Sequence, residues 1–153
     1  MPPIEANPEA PACASAEAYI NAPVETVWTL LSDFAHWPDW NEAVARMRLD
    51  GPVQAGTPFV WVAGGTRIVS RLEEVAPPGR LAWTGKTMGI RAVHVWRLAT
   101  QGEGTHVHTE ESLDGLIARL LPGLMRKMLA KALAQGVMAL KTEAEARHER
   151  TRG

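Results

Sequence analysis

The stretch Pro122-Gly-Leu-Met-Arg-Lys-Met-Leu-Ala-Lys-Ala-Leu-Ala-Gln-Gly-Val-Met-Ala-Leu-Lys-Thr-Glu-Ala-Glu-Ala-Arg147 decides the fold. Across residues 116–147, Leu121, Met125, Met128, Leu129, Ala132, Leu133, Val137, Leu140 and Ala144 return every three or four positions, which is one apolar stripe on a long helix. Arg126, Lys127, Lys131, Gln135, Lys141, Glu143 and Glu145 make the other side polar. Pro122 is suited to open the main helix, because a first-turn proline gives up a donor that has no partner there. Residues 116–121 then form a short lead-in segment at an angle to it. From Pro122 to Arg147 the rise is about 39 Å, at about 1.5 Å per residue. A helix of that length cannot cover its own stripe, so the chain upstream must.

Most of the chain upstream reads as strand. Residues 15–21 alternate, with Ala16, Ala18 and Ile20 on one side and Glu17 and Tyr19 on the other. Pro23 and the helical spacing of Val24, Val27, Trp28, Leu30 and Leu31 predict a short amphipathic helix, with the proline in its first turn. The aromatic segment from Phe34 to Asn41 predicts a bent helical turn that holds Trp37 and Trp40 together, as a lid or a corner. From Val44 onward the period is two, giving strands at 44–49, 57–63, 66–75, 80–86, 90–98 and 105–113. Asp50-Gly51-Pro52, Gly64-Gly65, Pro77-Pro78-Gly79, Met88-Gly89 and Gln101-Gly102-Glu103-Gly104 separate them with turn chemistry, so neighbours pair antiparallel. The expected architecture is α+β: a curved seven-stranded antiparallel sheet, two short helices after the first strand, and the long C-terminal helix lying on the sheet. Residues 1–12, rich in Pro, Ala and Glu, read as a loose, disordered tail, and residues 13–150 as a single domain.

Composition narrows the function classes. The 153 residues are 46% hydrophobic and 22% charged with a formal net charge of -1, ordinary globular composition without the basic field of a nucleic-acid binder. Cys13 is the only cysteine, which excludes an internal disulfide and a multi-cysteine zinc site. No apolar run reaches membrane-span length and the first residues lack a signal-peptide pattern, so the expectation is a cytoplasmic protein without stable membrane insertion. Six tryptophans against two phenylalanines and one tyrosine is the unusual feature. Large rings on strands fill a core or line a cavity.

Alternation assigns the faces. Arg91 and Arg97 share one side of their strand, which turns Ala92, His94, Trp96 and Leu98 inward. Thr105, Val107, Thr109, Glu111 and Leu113 form the inner set of the next strand, with His106, His108 and Glu110 outside. Pairing Leu98 near Thr105 would set His94 opposite Thr109, with Glu111 one diagonal away. The same bookkeeping turns Phe59, Trp61, Ile68, Ser70, Leu72, Trp83 and, at the end of its strand, Glu74 inward. Met125, Met128, Leu129 and Ala132 would roof them. One helix cannot cover so much inner face, and mostly apolar walls with a few polar groups describe a small-molecule site. Ser70, His94 and Glu111 would orient the ligand, and Trp37 with Trp40 would sit at its entrance. Against this stands the bland alternative that the tryptophans are core, His94 an ordinary interior histidine and the methionines filler. His106 and His108 lack a third and fourth ligand, so no metal is expected. Gly102-Glu-Gly104 lacks the lysine and helix of a phosphate loop, and no serine sits in a nucleophile elbow.

Several stretches resemble the helix-grip superfamily, also called START-related or SRPBCC, which includes birch-pollen-allergen-like proteins. They are Ile20-Asn-Ala-Pro-Val-Glu-Thr-Val-Trp28, Leu31-Ser-Asp33 with Trp37-Pro-Asp-Trp40, Val75-Ala-Pro-Pro78 with Leu81-Ala-Trp83, His94-Val-Trp-Arg-Leu98, and Gly104-Thr-His-Val107 with Glu110-Glu111. The resemblance is nearest to the polyketide cyclase/dehydrase-like branch and covers roughly residues 16–147. It implies the helix-grip fold; together with the excess inner face and the trio Ser70, His94 and Glu111, the expectation is a small hydrophobic or aromatic ligand, lipid-like or polyketide-like, and no cofactor. It also brings two alternatives. One is a metal-free cyclase or dehydrase using His94 or Glu111 as general base, with Ser70 or Thr109 as donor. The other is an interaction module whose inner face is filled.

Overall fold

The computed structural model describes residues 3–152. Seven strands, β1 (Ala12–Ile20), β2 (Val44–Leu49), β3 (Pro58–Ala63), β4 (Thr66–Ala76), β5 (Arg80–Thr87), β6 (Ile90–Gln101) and β7 (Gly104–Asp114), form one antiparallel sheet in the order β1-β7-β6-β5-β4-β3-β2. Between β1 and β2 lie α1 (Val24–Ser32), a 3-10 turn (Phe34–His36) and the single turn α2 (Trp37–Trp40). After β7 come α3 (Leu116–Leu120) and the long helix α4 (Pro122–Arg152). This is the helix-grip fold.

α4 turns Leu129, Leu133, Val137, Leu140 and Ala144 inward at spacings of three and four, and all five are buried. At about 1.5–3 kcal/mol for each large aliphatic side chain, that stripe is what holds the helix down. It lies chiefly along β1. The inner face of β1 is Ala12, Ala14, Ala16 and Ala18, small side chains that let the helix approach, with Ile20 closing the row. Lys141 Nζ donates to the Tyr19 carbonyl at 2.7 Å, and Glu145 accepts from the Asn21 N–H at 2.8 Å, fixing the far end. Met128 and Ala132, expected in the roof, are exposed on the outward side; the stripe that faces the sheet is narrower than the apolar pattern of the sequence. Met125 is partly buried and Leu129 buried.

Pro23 stands one position before α1, as its N-cap, rather than inside its first turn. β1 begins at Ala12, three residues earlier than alternation suggested, because Ala12 to Ala14 pair with Leu113 to Glu111 despite their weak strand character. Ahead of it, Glu5 lies against Arg80 and Arg97, Ala6 is buried, and the Asn7 N–H donates to Ser112 Oγ at 3.0 Å. Residues 5–7 thus cross the outer face from β5 to β7, over the buried Val95. This part of the expected loose tail is ordered by polar contacts with partners distant in sequence, which its low apolar content does not disclose.

Candidate functional site

The hairpin between β6 and β7 is tighter than expected. Gln101 pairs with Gly104, leaving Gly102 and Glu103 as the turn, which slides β7 by two residues. His94 therefore faces Glu111 directly, and Thr109 becomes its neighbour opposite Trp96. His94 Nδ1 stands 3.1 Å from Glu111 Oε1, and Nε2 is 2.7 Å from Thr109 Oγ1. The Thr109 hydroxyl donates to the Val95 carbonyl at 3.2 Å, so it accepts from His94. That assigns the ring proton to Nε2 and turns a bare Nδ1 toward Glu111 when the ring is neutral.

Burial governs the charge of this pair. His94 is 7% exposed, and desolvation lowers its pKa from 6.5 to about 3. Glu111 keeps 18% of its side-chain surface, yet desolvation raises its pKa from 4.5 to about 8. Near neutral pH the site therefore holds a protonated carboxyl beside an unprotonated imidazole nitrogen.

Around the pair the sheet is arranged in rows. One row runs Leu72, Trp83, His94, Glu111, Ala14 across five strands. The Trp83 ring lies 4.6 Å from the His94 ring, and Trp96 stacks on its other side at 5.5 Å with an interplanar angle of 26°. Trp96 Nε1 is buried without a partner. The next row is Phe59, Ser70, Gly85, Ala92, Leu113. Its centre is small: a Cβ built on Gly85 would come within 2.9 Å of Ser70 Oγ and 3.2 Å of Ile68 Cγ2. Trp61 Nε1 donates to Ser70 Oγ at 3.0 Å, which holds that indole at the side. The Ser70 and Ile68 side chains close over Gly85, while Trp61, Ile68, Ala92 and Leu113 are all partly exposed, so this end of the inner face meets solvent beside His94 and Glu111.

The rest of the inner face is filled. Phe34 stacks on Trp37 at 4.7 Å and contacts Phe59 and Trp83 at 5.2 and 5.8 Å. Trp37 is buried, and its Nε1 donates to the Leu31 carbonyl at 2.9 Å, so it is part of the core and not an entrance gate. Trp40 stands 6.1 Å from Trp37 with a buried, unpartnered Nε1. It lines a surface hollow of about 350 Å³ with Glu42, Gln135 and Met138. A second hollow, about 670 Å³, runs along β2 and β3 between Arg46, Arg48 and Arg67. Neither includes His94 or Glu111. The gap expected under one helix is occupied by the four rings Phe34, Trp37, Phe59 and Trp83. Phe34 was not singled out, although its spacing four and three residues after Leu30 and Leu31 marks it as a continuation of the α1 stripe. Glu74 faces outward to Arg80 at 2.9 Å, because a bulge between Leu72 and Glu74 reverses the alternation there. His106 lies on the outer face, 3.1 Å from Glu17.

Residues 11–145 match the family described as polyketide cyclase / dehydrase and lipid transport. The chain belongs to this family. None of the curated proteins matches its sequence. Among solved structures, this polyketide cyclase/dehydrase and lipid transport family member is similar to the hypothetical protein jhp0584 of Helicobacter pylori, with a TM-score of 0.79 at 19% identity over 94% of this chain and 99% of that one. It is similar to the di-domain ARO/CYC StfQ of the steffimycin biosynthetic pathway, with a TM-score of 0.76 at 14% identity over 89% of this chain and 51% of that one. Ara h 8.0201 matches with a TM-score of 0.72 at 12% identity, over 88% and 97% of the two chains. At these identities the likeness establishes the shared fold.

Proposed function

We propose that this protein binds a small apolar or aromatic molecule in a shallow trough at the solvent-facing end of the inner face, beside Ala92 and Leu113, with a polar group of the ligand at His94 and Glu111. The observation that carries this reading is the His94–Glu111 pair itself. Replacing a buried ionisable pair by well-packed apolar residues is often neutral or stabilising, so packing alone gives little reason for one beside Trp83 and Trp96. Two features support it: the small residues beside the pair and the partly exposed walls Trp61, Ile68 and Leu113. Apolar burial, about 25 cal/mol per Å² before ordering costs, would supply the affinity. The description of the family, which names both cyclases and lipid transport, agrees with a ligand of this class.

The test is a fluorescence titration with 2-naphthol, reading quenching of the trough tryptophans. Binding by the wild type and a loss of about tenfold or more in Ala92→Leu, which adds bulk to the trough next to the pair, is the expected result. Equal binding by both proteins rules the trough out.

The opposed protonation of the pair favours a second reading. A bare Nδ1 beside a protonated carboxyl sets a proton acceptor next to a donor, the arrangement an aldol cyclisation or dehydration uses. Substrate binding would have to raise the lowered imidazole pKa for it to act as the base. His94 Nδ1 would take the proton from a carbon next to a carbonyl, and Glu111 would donate toward the developing oxyanion. Hydrogen–deuterium exchange at that carbon of an aromatic β-diketone, catalysed by the wild type and abolished in His94→Gln, distinguishes catalysis from binding alone.

A further inference from the structure

At one corner of the molecule apolar side chains project into solvent instead of packing. Met88, at the tip of the β5–β6 turn, and Leu116, Leu120, Leu121, Leu124 and Met128, on α3 and the first turns of α4, are 49–80% exposed. The two segments meet: a Cβ on Gly115 would come within 2.1 Å of the Gly89 carbonyl oxygen, and one on Gly89 within 3.7 Å of Ile117 Cγ1. Met88 is the most exposed of them and has a φ of 43°, the left-handed conformation for which a two-residue turn selects Gly, Asn or Asp. Neither folding nor solubility accounts for a methionine there. Leu124 and Met128 stand one turn apart on α4, on the side away from the buried Leu129 and Leu133, so their exposure follows from the helix's orientation.

The charge around this corner is predominantly basic. From Gly115 to Thr142 the chain carries Arg119, Arg126, Lys127, Lys131 and Lys141 and not one acidic residue. Arg119 is held by Asp114 at 3.2 Å, whereas Arg126, Lys127 and Lys131 make no ion pair among the described residues. Lys127 and Lys131, one turn apart, run beside the Leu124–Met128 column. We infer that this corner docks on an anionic membrane surface, the leucine and methionine tips entering the headgroup boundary and the basic residues meeting lipid phosphates. No helix among the described residues is long and apolar enough to cross a membrane, so the contact is peripheral. A second copy of the chain fits this corner less well: a two-fold contact would bring Arg126, Lys127 and Lys131 against their own equivalents. The inference is independent of the ligand reading, since none of these residues belongs to the trough.

Co-sedimentation with phosphatidylcholine vesicles, with and without phosphatidylglycerol, tests it. The wild type is expected to bind the phosphatidylglycerol vesicles and to leave pure phosphatidylcholine about tenfold or more weaker. Leu124→Glu with Met128→Glu, and separately Lys127→Glu with Lys131→Glu, are each expected to weaken binding to the anionic vesicles by about tenfold or more. All four positions are exposed, and circular dichroism checks that each variant is folded. Failure of the wild type to bind, or retention of binding by either folded double variant, overturns the inference. So does a dimer in analytical ultracentrifugation that Leu124→Glu converts to monomer, because the corner is then an interface between copies.

Discussion

His94 lies directly across the β6–β7 ladder from Glu111, with Nδ1 3.1 Å from Oε1. Burial disfavours the charged form of both, and the two effects have opposite pH signatures. The folded pKa of Glu111, about 8, lies above its ordinary 4.5, so its contribution to stability is complete below about pH 4.5 and is lost as pH rises toward 8. That of His94, about 3, lies below its ordinary 6.5, so its contribution is present above about pH 6.5 and is lost as pH falls toward 3. In urea unfolding across a pH series, the stability of the wild type relative to Glu111→Gln should decline from pH 4.5 to 8. Relative to His94→Gln it should decline from pH 6.5 downward. A Glu111→Gln difference that is flat or grows with pH means the carboxyl is solvated in the folded state.

Thr109 spends its one hydroxyl proton on the Val95 carbonyl and accepts from His94 Nε2. Thr109→Val keeps the shape and strands the imidazole N–H in the interior. The expected cost is about 1–3 kcal/mol by urea unfolding. A cost within about 0.5 kcal/mol would show that His94 finds another acceptor.

Trp83 touches Phe34, Phe59, Trp37, Trp61 and His94. Trp83→Ala should therefore cost about 3–5 kcal/mol, the loss of a ring with a cavity left behind. Met128→Ala, on the outward side of α4, should stay within about 0.5 kcal/mol. Comparable costs at the two positions would mean that α4 is rotated on the sheet.

The fold was legible because its two periods are clean. Strand alternation over β2 to β7 and the three-to-four spacing of α4 survive in the structure to within a few residues, and alternation alone put His94, Thr109 and Glu111 on the inner face. What the residues did not disclose depends on backbone irregularity and on partners distant in sequence. The tighter β6–β7 turn, not alternation, decides that His94 meets Glu111 head-on. A bulge reverses Glu74, which no local pattern announces. Met128 and Ala132 belong to an apolar band broader than the sheet covers, and only the seating of α4 on the alanines of β1 reveals which edge of that band is buried. Trp37 sits in the core because Phe34 and the Leu31 carbonyl receive it, a packing fact invisible to spacing.

The most direct test of the ligand reading is native mass spectrometry of the protein purified from its own host, followed by solvent extraction. The account predicts a bound apolar or aromatic molecule that Ala92→Leu fails to retain. A protein that emerges bare, and whose tryptophans are not quenched by 2-naphthol or 8-anilinonaphthalene-1-sulfonate, would contradict it and leave a filled interior with a structural His94–Glu111 pair.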